Sequence, residues 1–165
     1  MHHHTIETDY LVVGAGAMAM AFVDTLIDQS DATVLMVDPH PLPGGHWNDA
    51  YPFVRLHQPS VWYGVVSTRL DEAEPDPSGF DRGATGAEVL AYFERLMRER
   101  LLPTGRVRWF PSHQYRQGDD GSHRIVCLAT GAEQVVKVRR NRDDATHPRT
   151  EVPTVRRPAY GMADG

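Results

Sequence analysis

The sequence predicts an α/β fold in which a parallel β-sheet is built around a strand–helix–strand unit. Residues 9–13 form a short apolar run that ends at Gly14, and residues 33–37 (TVLMV) form a second one that ends at Asp38. Between them, residues 17–29 have the length and composition of a helix, with no charge before Asp24. Two buried strands joined through one helix by tight turns are typical of a βαβ unit.

Composition limits the classes of function that the chain can have. With 165 residues and 41% hydrophobic residues, the chain is long enough to form one domain with a hydrophobic core. The formal net charge of −5 argues against nucleic acid or an anionic membrane as a partner. Cys127 is the only cysteine, so we expect no internal disulfide, and a reducing cytoplasm fits. The sequence has no apolar run long enough to span a bilayer, so we expect a cytoplasmic protein without a membrane partner.

Regular structure is hard to place between residues 39 and 82. Prolines recur through this segment and exclude a long helix, whereas its aromatic residues argue against a linker. Residues 71–78 are acidic and rich in proline, which favours a solvated surface loop.

Helix signals return at Thr85, which can form a capping box with Glu88. One buried helix face is then predicted from spacing, and it consists of Leu90, Phe93, Met97 and Leu101. Strands are expected at residues 106–110, 123–128 and 134–138, with residues 129–132 as a hairpin turn. We therefore predict a disordered N-terminus at residues 1–7, one domain at residues 8–150 with a β-hairpin or meander insertion, and a polar tail at residues 151–165.

The turn after the first strand has the chemistry of an anion site. A helix that begins just after a glycine turn presents unpaired backbone N–H groups and a partial positive charge, which favour a phosphate. The candidate pyrophosphate turn comprises Gly14, Ala15, Gly16, Ala17 and Met18. Ala19 takes the third glycine position of the G-x-G-x-x-G fingerprint, a substitution that the fingerprint permits.

Asp38, followed by Pro39, lies at the end of the second predicted strand, where an acid can accept hydrogen bonds from a ribose 2′-OH. A 2′-phosphate would be repelled there, so an NADP-type adenosine is disfavoured in this site. The alternative is a glycine-rich turn that binds nothing. The turn, the helix and the acid together favour a dinucleotide and a Rossmann-like fold.

The residues after the second predicted strand resemble a known family, and this resemblance favours FAD over NAD as the bound dinucleotide. Residues 44–47 (GGHW) and 51–60 (YPFVRLHQPS) resemble the N-terminal segment of flavin-containing and Baeyer–Villiger monooxygenases. The resemblance implies that Gly45, His46 and Trp47 lie beside the flavin, although buried packing is the alternative for Trp47, Phe53 and Trp62. The remaining implied contacts are Arg55 and His57, then Gln114 or Tyr115 beside the adenine in a strand at residues 106–115, and Thr146 in Asp144-Ala145-Thr146, which corresponds to the end of the strand that closes the FAD domain in that family.

The resemblance implies that the chain is the FAD-binding portion of a flavin-dependent oxidoreductase similar to NAD(P)H-dependent monooxygenases. NAD(P)H would bind through a part that is absent here, so we expect an incomplete, Rossmann-like FAD/NAD(P)-binding fold and a fragment not fully active alone. No catalytic residue can be named, the small-molecule substrate is unknown, and the spacing of the histidines predicts no metal site. An NAD-binding dehydrogenase domain and a non-catalytic nucleotide-binding module remain alternatives.

Overall fold

The structure is a computed structural model that describes residues 5–71 and 83–146. It is an α/β fold with one mixed, six-stranded sheet. The strands are β1 (Thr5–Val13), β2 (Val34–Val37), β3 (Val107–Phe110), β4 (His113–Gln117), β5 (His123–Cys127) and β6 (Glu133–Asp144). The helices are α1 (Ala17–Gln29) and α2 (Gly86–Leu96), and α2 continues into a π-helical turn at Met97–Leu101 and a 3-10 turn at Leu102–Thr104.

The strand order in the sheet is β3-β2-β1-β6-β5-β4. The first four strands in that order are mutually parallel, and β5 and β4 add an antiparallel meander to the β6 edge. Strand β6 belongs to both parts, because residues 135–144 pair with β1 and residues 133–136 pair with β5. All four parallel strands therefore end at one edge of the sheet, where the glycine turn also lies.

Hydrophobic residues fill both faces of the sheet. On one face, α1 and α2 pack against the strands through side chains that include Met20, Val23 and Phe93, each at most 1% exposed. On the other face, Leu11 and Leu35 form a second cluster with Ile125 and the half-buried Tyr115. The meander thus supplies side chains to the face that the helices do not cover.

The predicted helices are confirmed. Helix α1 begins at Ala17 and ends at Gln29, as expected. At the start of α2, Thr85 Oγ1 accepts a hydrogen bond from the Glu88 main-chain N–H at 3.2 Å, and Glu88 Oε2 accepts one from the Thr85 N–H at 2.8 Å. Leu90 is only half-buried, and Val89 takes its place on the inner face.

Strand boundaries differ from the predictions in three places. Strand β1 begins at Thr5 rather than residue 9, because Ile6 is buried against β6, so residues 5–7 are strand and not a disordered terminus. The strand predicted at 106–110 is confirmed as β3, whereas the single strand at 106–115 that the resemblance implied is wrong. It is divided into β3 and β4 by Pro111 and Ser112, and Ser112 has a positive φ of 53°. Strand β6 continues to Asp144, six residues beyond the predicted end.

Between α1 and α2, the described residues 39–71 contain two short 3-10 turns, Gly45–Asp49 and Ser60–Trp62, in agreement with the predicted irregular segment. The predicted acidic loop at 71–78 and the predicted tail at 151–165 lie almost entirely outside the described residues. None of the helices in the described part of the chain has both the length and the apolar character needed to cross a membrane.

Candidate functional site

The glycine turn connects β1 to α1 at the carboxyl edge of the parallel strands. Gly14 has φ +106°, a conformation that side-chain-bearing residues rarely adopt, and its N–H donates to Val37 O at 2.8 Å. No side chain caps α1 at Gly16, and no acid lies in the first helical turn. The first N–H groups of this helix therefore lack intrahelical partners and point to the same edge of the sheet.

Asp38 lies directly beside this turn. Asp38 is 3% exposed, and its Oδ2 accepts a hydrogen bond from the Ala15 main-chain N–H at 2.7 Å. The other oxygen, Oδ1, accepts the His40 main-chain N–H at 2.8 Å and lies 2.8 Å from the ring Nδ1 of His40. The acid that the spacing assigned to the ribose is thus held by three nitrogen contacts, one from the glycine turn and two from His40.

His40 connects Asp38 to a second carboxylate. Its ring Nε2 lies 3.1 Å from Oδ2 of Asp49, the last residue of the Gly45–Asp49 turn. Burial lowers the pKa of His40, but the hydrogen bonds to Asp38 and Asp49 outweigh burial and raise the pKa above its ordinary value. His40 therefore holds its proton to higher pH than a free histidine does.

The Gly44-Gly45 pair packs on the glycine turn. The Gly44 N–H donates to Ala15 O at 2.8 Å. Gly45 has φ +56°, and a Cβ on it would lie 2.9 Å from Gly16 Cα, closer than real contacts allow. Gly45 and Gly16 can approach to this distance because Gly45 carries no side chain.

Trp47 is a core residue in this segment. It is 8% exposed, its Nε1 donates to the Tyr63 hydroxyl at 3.3 Å, and its ring stacks on His46 with centroids 5.5 Å apart. Burial raises the pKa of Tyr63, although the bond from Trp47 opposes that effect. Trp47 is therefore packed in the core, while His46 is exposed beside it.

The end of β6 also meets the glycine turn. The Ala145 N–H donates to Val13 O at 2.9 Å, and Thr146 Cγ2 would lie 3.6 Å from a Cβ on Gly14. The Thr146 hydroxyl is held by Asp144 Oδ1 at 2.5 Å. Thr146 is thus brought to the same edge of the sheet as Gly14 and Asp38.

Other predicted contacts lie apart from this cluster or at its surface. Arg55 is exposed and donates to Gly83 O at 3.2 Å, and His57 is exposed in the same segment. Gln114 is exposed on the edge strand β4, whereas the Tyr115 hydroxyl lies 2.9 Å from His123 Nδ1. Pro39 is exposed, and so is Met18, with 76% of its surface accessible.

Aromatic side chains are exposed in the segment between β2 and α2. Trp62 is 70% exposed and, with Ala17, Tyr63 and Phe93, lines a cavity of about 110 Å³. Tyr51 and Phe53 stack in parallel with centroids 5.5 Å apart, and Phe53 is 80% exposed. Phe53 and Trp62 therefore lie outside the core of the described residues.

The sequence analysis missed His40 and Asp49 as members of this site. The available signal was an Asp-x-His spacing at the end of a predicted strand, but the partner Asp49 is nine residues farther along. Within the described residues, no group of three or more His, Cys, Asp or Glu side chains is placed to hold a metal ion.

Comparison with known proteins gives relatives without an assigned function. No family model matches the chain. The chain is 51% identical to uncharacterized proteins of Mycobacterium tuberculosis and Mycobacterium bovis, in an alignment that covers 98% of this chain and 30% of each relative. It therefore spans about a third of the length of the curated relatives that it matches.

Solved structures with the same fold are flavin monooxygenases. A flavin-containing monooxygenase from Stenotrophomonas maltophilia is 21% identical with a TM-score of 0.59, over 86% of this chain and 38% of that chain. The polycyclic ketone monooxygenase of Thermothelomyces thermophila is 18% identical with a TM-score of 0.65, over 90% of this chain and 25% of that chain. A cyclohexanone monooxygenase from Rhodococcus sp. Phi1, bound to NADP+, is 19% identical with a TM-score of 0.59, over 86% of this chain and 26% of that chain. The chain therefore has the fold of a segment of flavin monooxygenases.

Proposed function

We propose that this chain is the FAD-binding portion of a flavin-dependent oxidoreductase, and that the whole protein is an NAD(P)H-dependent enzyme of the monooxygenase type. The observation that carries the proposal is the packing of Gly44 and Gly45 on the glycine turn, with Asp38 fixed beside it. A glycine turn alone is common to many nucleotide-binding proteins. The second glycine pair and the fold shared with flavin monooxygenases favour FAD.

The residues fit the ADP half of a dinucleotide. The uncapped start of α1 offers N–H groups to a pyrophosphate, and Gly16 has no Cβ to keep the phosphates away. A carboxylate has about four acceptor positions, and Asp38 uses three of them for Ala15 and His40. One acceptor position therefore remains for a ribose hydroxyl.

When bound, FAD would supply the redox chemistry, which is its reduction by a nicotinamide cofactor and electron transfer to oxygen or another acceptor. The protein would position it: the turn from Gly14 to Met18 holds the pyrophosphate, Asp38 with Pro39 orients the ribose, and Gly45, His46 and Trp47 flank the flavin. In this proposal Trp47 acts from the core by fixing the backbone of that segment. Arg55, His57, Gln114, Tyr115 and Thr146 stay predicted contacts.

A ligand panel tests the proposal. Because only a ligand that prefers the folded state can raise the melting temperature, FAD, FMN, NAD and NADP are compared in a thermal-shift assay on this chain. The full-length Mycobacterium tuberculosis relative serves as a second protein in the same assay. We expect FAD to give the largest increase, together with quenching of flavin fluorescence.

Each other outcome contradicts the FAD proposal in a distinct way. A larger increase with NAD than with FAD would favour an NAD-binding dehydrogenase domain. No increase with any of the four ligands, in either protein, would favour a non-catalytic module.

A further inference from the structure

The side chain of His40 bridges two carboxylates that belong to different segments. Its Nδ1 lies 2.8 Å from Asp38 Oδ1 at the end of β2, and its Nε2 lies 3.1 Å from Asp49 Oδ2 at the end of the Gly45–Asp49 turn. Both ring nitrogens are therefore within hydrogen-bond distance of a carboxylate oxygen. An ionised carboxylate can accept hydrogen bonds but cannot donate them.

This arrangement selects one protonation state of the ring. A neutral imidazole carries a single N–H, so it would leave one nitrogen lone pair facing a carboxylate oxygen. The imidazolium carries an N–H at both nitrogens and satisfies both carboxylates with charge-assisted hydrogen bonds. The bridge between Asp38 and Asp49 is complete only when His40 is protonated.

The bridge spans the segment that covers the glycine turn. Asp49 ends the 3-10 turn that starts at Gly45, and the preceding Gly44 N–H is bonded to Ala15 O. At the other end of the bridge, Asp38 accepts the Ala15 N–H. His40 therefore binds the Asp49 end of the segment from Gly44 to Asp49, and the Gly44 end of that segment is hydrogen-bonded to the glycine turn.

We propose that the His40 imidazolium is a positioning residue of the dinucleotide site, which fixes the Asp38 carboxylate and holds the Gly45–Asp49 turn closed over the glycine turn. The ligand part of this proposal rests on the proposed function, whereas the closure does not. His40 acts through Asp38 and the backbone, and it is not assigned any contact with reacting atoms.

Dinucleotide affinity should then depend on pH with a defined sign. Because the pKa of His40 is raised in the folded protein, the bridge is complete below the ordinary histidine pKa and is lost as pH rises through the raised value. Among the described residues, the groups that face the ring are Asp38 and Asp49. His113 of β4 lies nearby, but its main-chain N–H bonds Asp38 O and its ring Nδ1 lies 2.6 Å from Pro111 O.

The first experiment needs no ligand. The protonation of the His40 ring nitrogens is followed by NMR between pH 5.5 and 9, together with the amide protection factors of Ala15 and Gly44. The variants are His40→Gln, Asp49→Asn, which keeps the size and one acceptor oxygen, and His113→Gln as the matched histidine control. We expect both His40 nitrogens to be protonated at pH 6, and protection to fall about tenfold as the ring deprotonates.

In the same experiment, Asp49→Asn should lower the pH at which the His40 ring loses its proton, and His113→Gln should leave it unchanged. A His40 ring with one N–H at pH 6 would overturn the proposal. Protection factors at Gly44 that follow the same pH course in Asp49→Asn and His40→Gln as in the parent chain would overturn it equally.

The second experiment measures FAD affinity over the same pH range by quenching of flavin fluorescence. We expect the parent chain and His113→Gln to bind about tenfold more tightly at pH 6 than at pH 9, and His40→Gln to bind weakly at both. Binding with no difference between the parent chain and His40→Gln would contradict the positioning role. Absence of FAD binding in every variant and in the full-length Mycobacterium tuberculosis relative, with the NMR results as expected, would instead contradict the proposed function while the closure stands.

Discussion

The Asp24 carboxylate is buried on the inner side of α1, where it accepts hydrogen bonds from two segments that are distant in sequence. Ser67 donates to it through its main-chain N–H at 3.1 Å and through its hydroxyl at 2.5 Å. Arg100, in the π-helical turn after α2, donates through Nε at 3.3 Å and also reaches Asp28. One acid therefore connects α1 to the loop at residues 63–70 and to the end of the second helix.

We expect Asp24→Asn to lower the free energy of unfolding by about 3 kcal/mol, because it leaves buried hydrogen-bond groups mismatched and Arg100 without its buried partner. The matched control is Asp28→Asn, which removes a carboxylate from the same helix and the same arginine, but at a side chain that is 55% exposed. The control should lose less than about 1 kcal/mol. Urea denaturation of both variants checks this, and equal losses would contradict it.

Gly16 allows a second comparison at the residue scale. Its backbone conformation is ordinary, and an added Cβ would lie 3.5 Å from Gly45 Cα, an acceptable contact. We expect Gly16→Ala to keep the fold but to weaken FAD binding about tenfold, because the new methyl group lies where a pyrophosphate must approach the backbone.

Gly86→Ala is the control for Gly16→Ala, since its added Cβ would also meet its nearest atom, on Trp47, at 3.5 Å. Melting temperature and FAD titration are measured for both variants. Equal FAD affinities would mean that the phosphates do not pass Gly16.

Spacing along the chain was enough to predict Gly14, Gly16 and Asp38 as neighbours, because a βαβ unit brings its glycine turn and second strand end together. Spacing could not predict the partners of Asp24, which are 43 and 76 residues away. The His40–Asp49 pair is close in sequence, but it depends on the turn formed by Gly44 and Gly45. These contacts arise from tertiary packing and leave no periodic signal.

At the scale of elements, α2 shows how a local signal fixes a helix start. Thr85 and Glu88 satisfy each other's main-chain N–H groups within a single turn. We expect Thr85→Ala to lower the free energy of unfolding by about 1 kcal/mol, because the Glu88 N–H loses its acceptor. Thr85→Ser keeps the hydroxyl and should stay within about 0.5 kcal/mol of the parent chain in the same denaturation assay. A larger loss for the serine variant would mean that the threonine methyl group, and not the cap, stabilises the helix.

Strands β4 and β6 show why other elements escaped prediction. The alternation at 106–110 predicts β3, but β4 lies beyond Pro111 and Ser112, in the segment that the resemblance assigned to the same strand, so the turn between them was not expected. The second half of β6, from Arg139 to Asp144, pairs with β1. Its side chains are exposed or half-buried, so polar residues are tolerated there and no apolar alternation marks the strand. Arg139 contacts Asp9 at 3.2 Å across this pair. The bounds of β4 and β6 are therefore set by backbone hydrogen bonds to neighbouring strands, and these contacts are not local in sequence.

For the molecule as a whole, β6 joins the parallel strands to the meander. Val136, which is 2% exposed, pairs with Ile6 on one side and His123 on the other. We therefore expect the described residues to unfold in one cooperative transition, and Val136→Ala to lower the stability of both parts by about 2 kcal/mol.

Two probes check this expectation. The three tryptophans, Trp47, Trp62 and Trp109, all precede the meander, so their fluorescence reports on the parallel part. Amide exchange at Ile125 reports on the meander. Two separate transitions, or a loss at only one probe in Val136→Ala, would show that the two parts are independent.

The place of β6 in the sheet also has a consequence for biosynthesis. Among the described strands β1 is translated before the others, yet β6, its partner on one side, is the last of them: Glu7 and Lys137, which form an ion pair across the two strands, are 130 residues apart. While the ribosome makes the intervening residues, one edge of β1 stays unpaired, and such edges invite pairing with other chains. A nascent chain of this protein should therefore depend on chaperones until β6 has left the ribosomal exit tunnel.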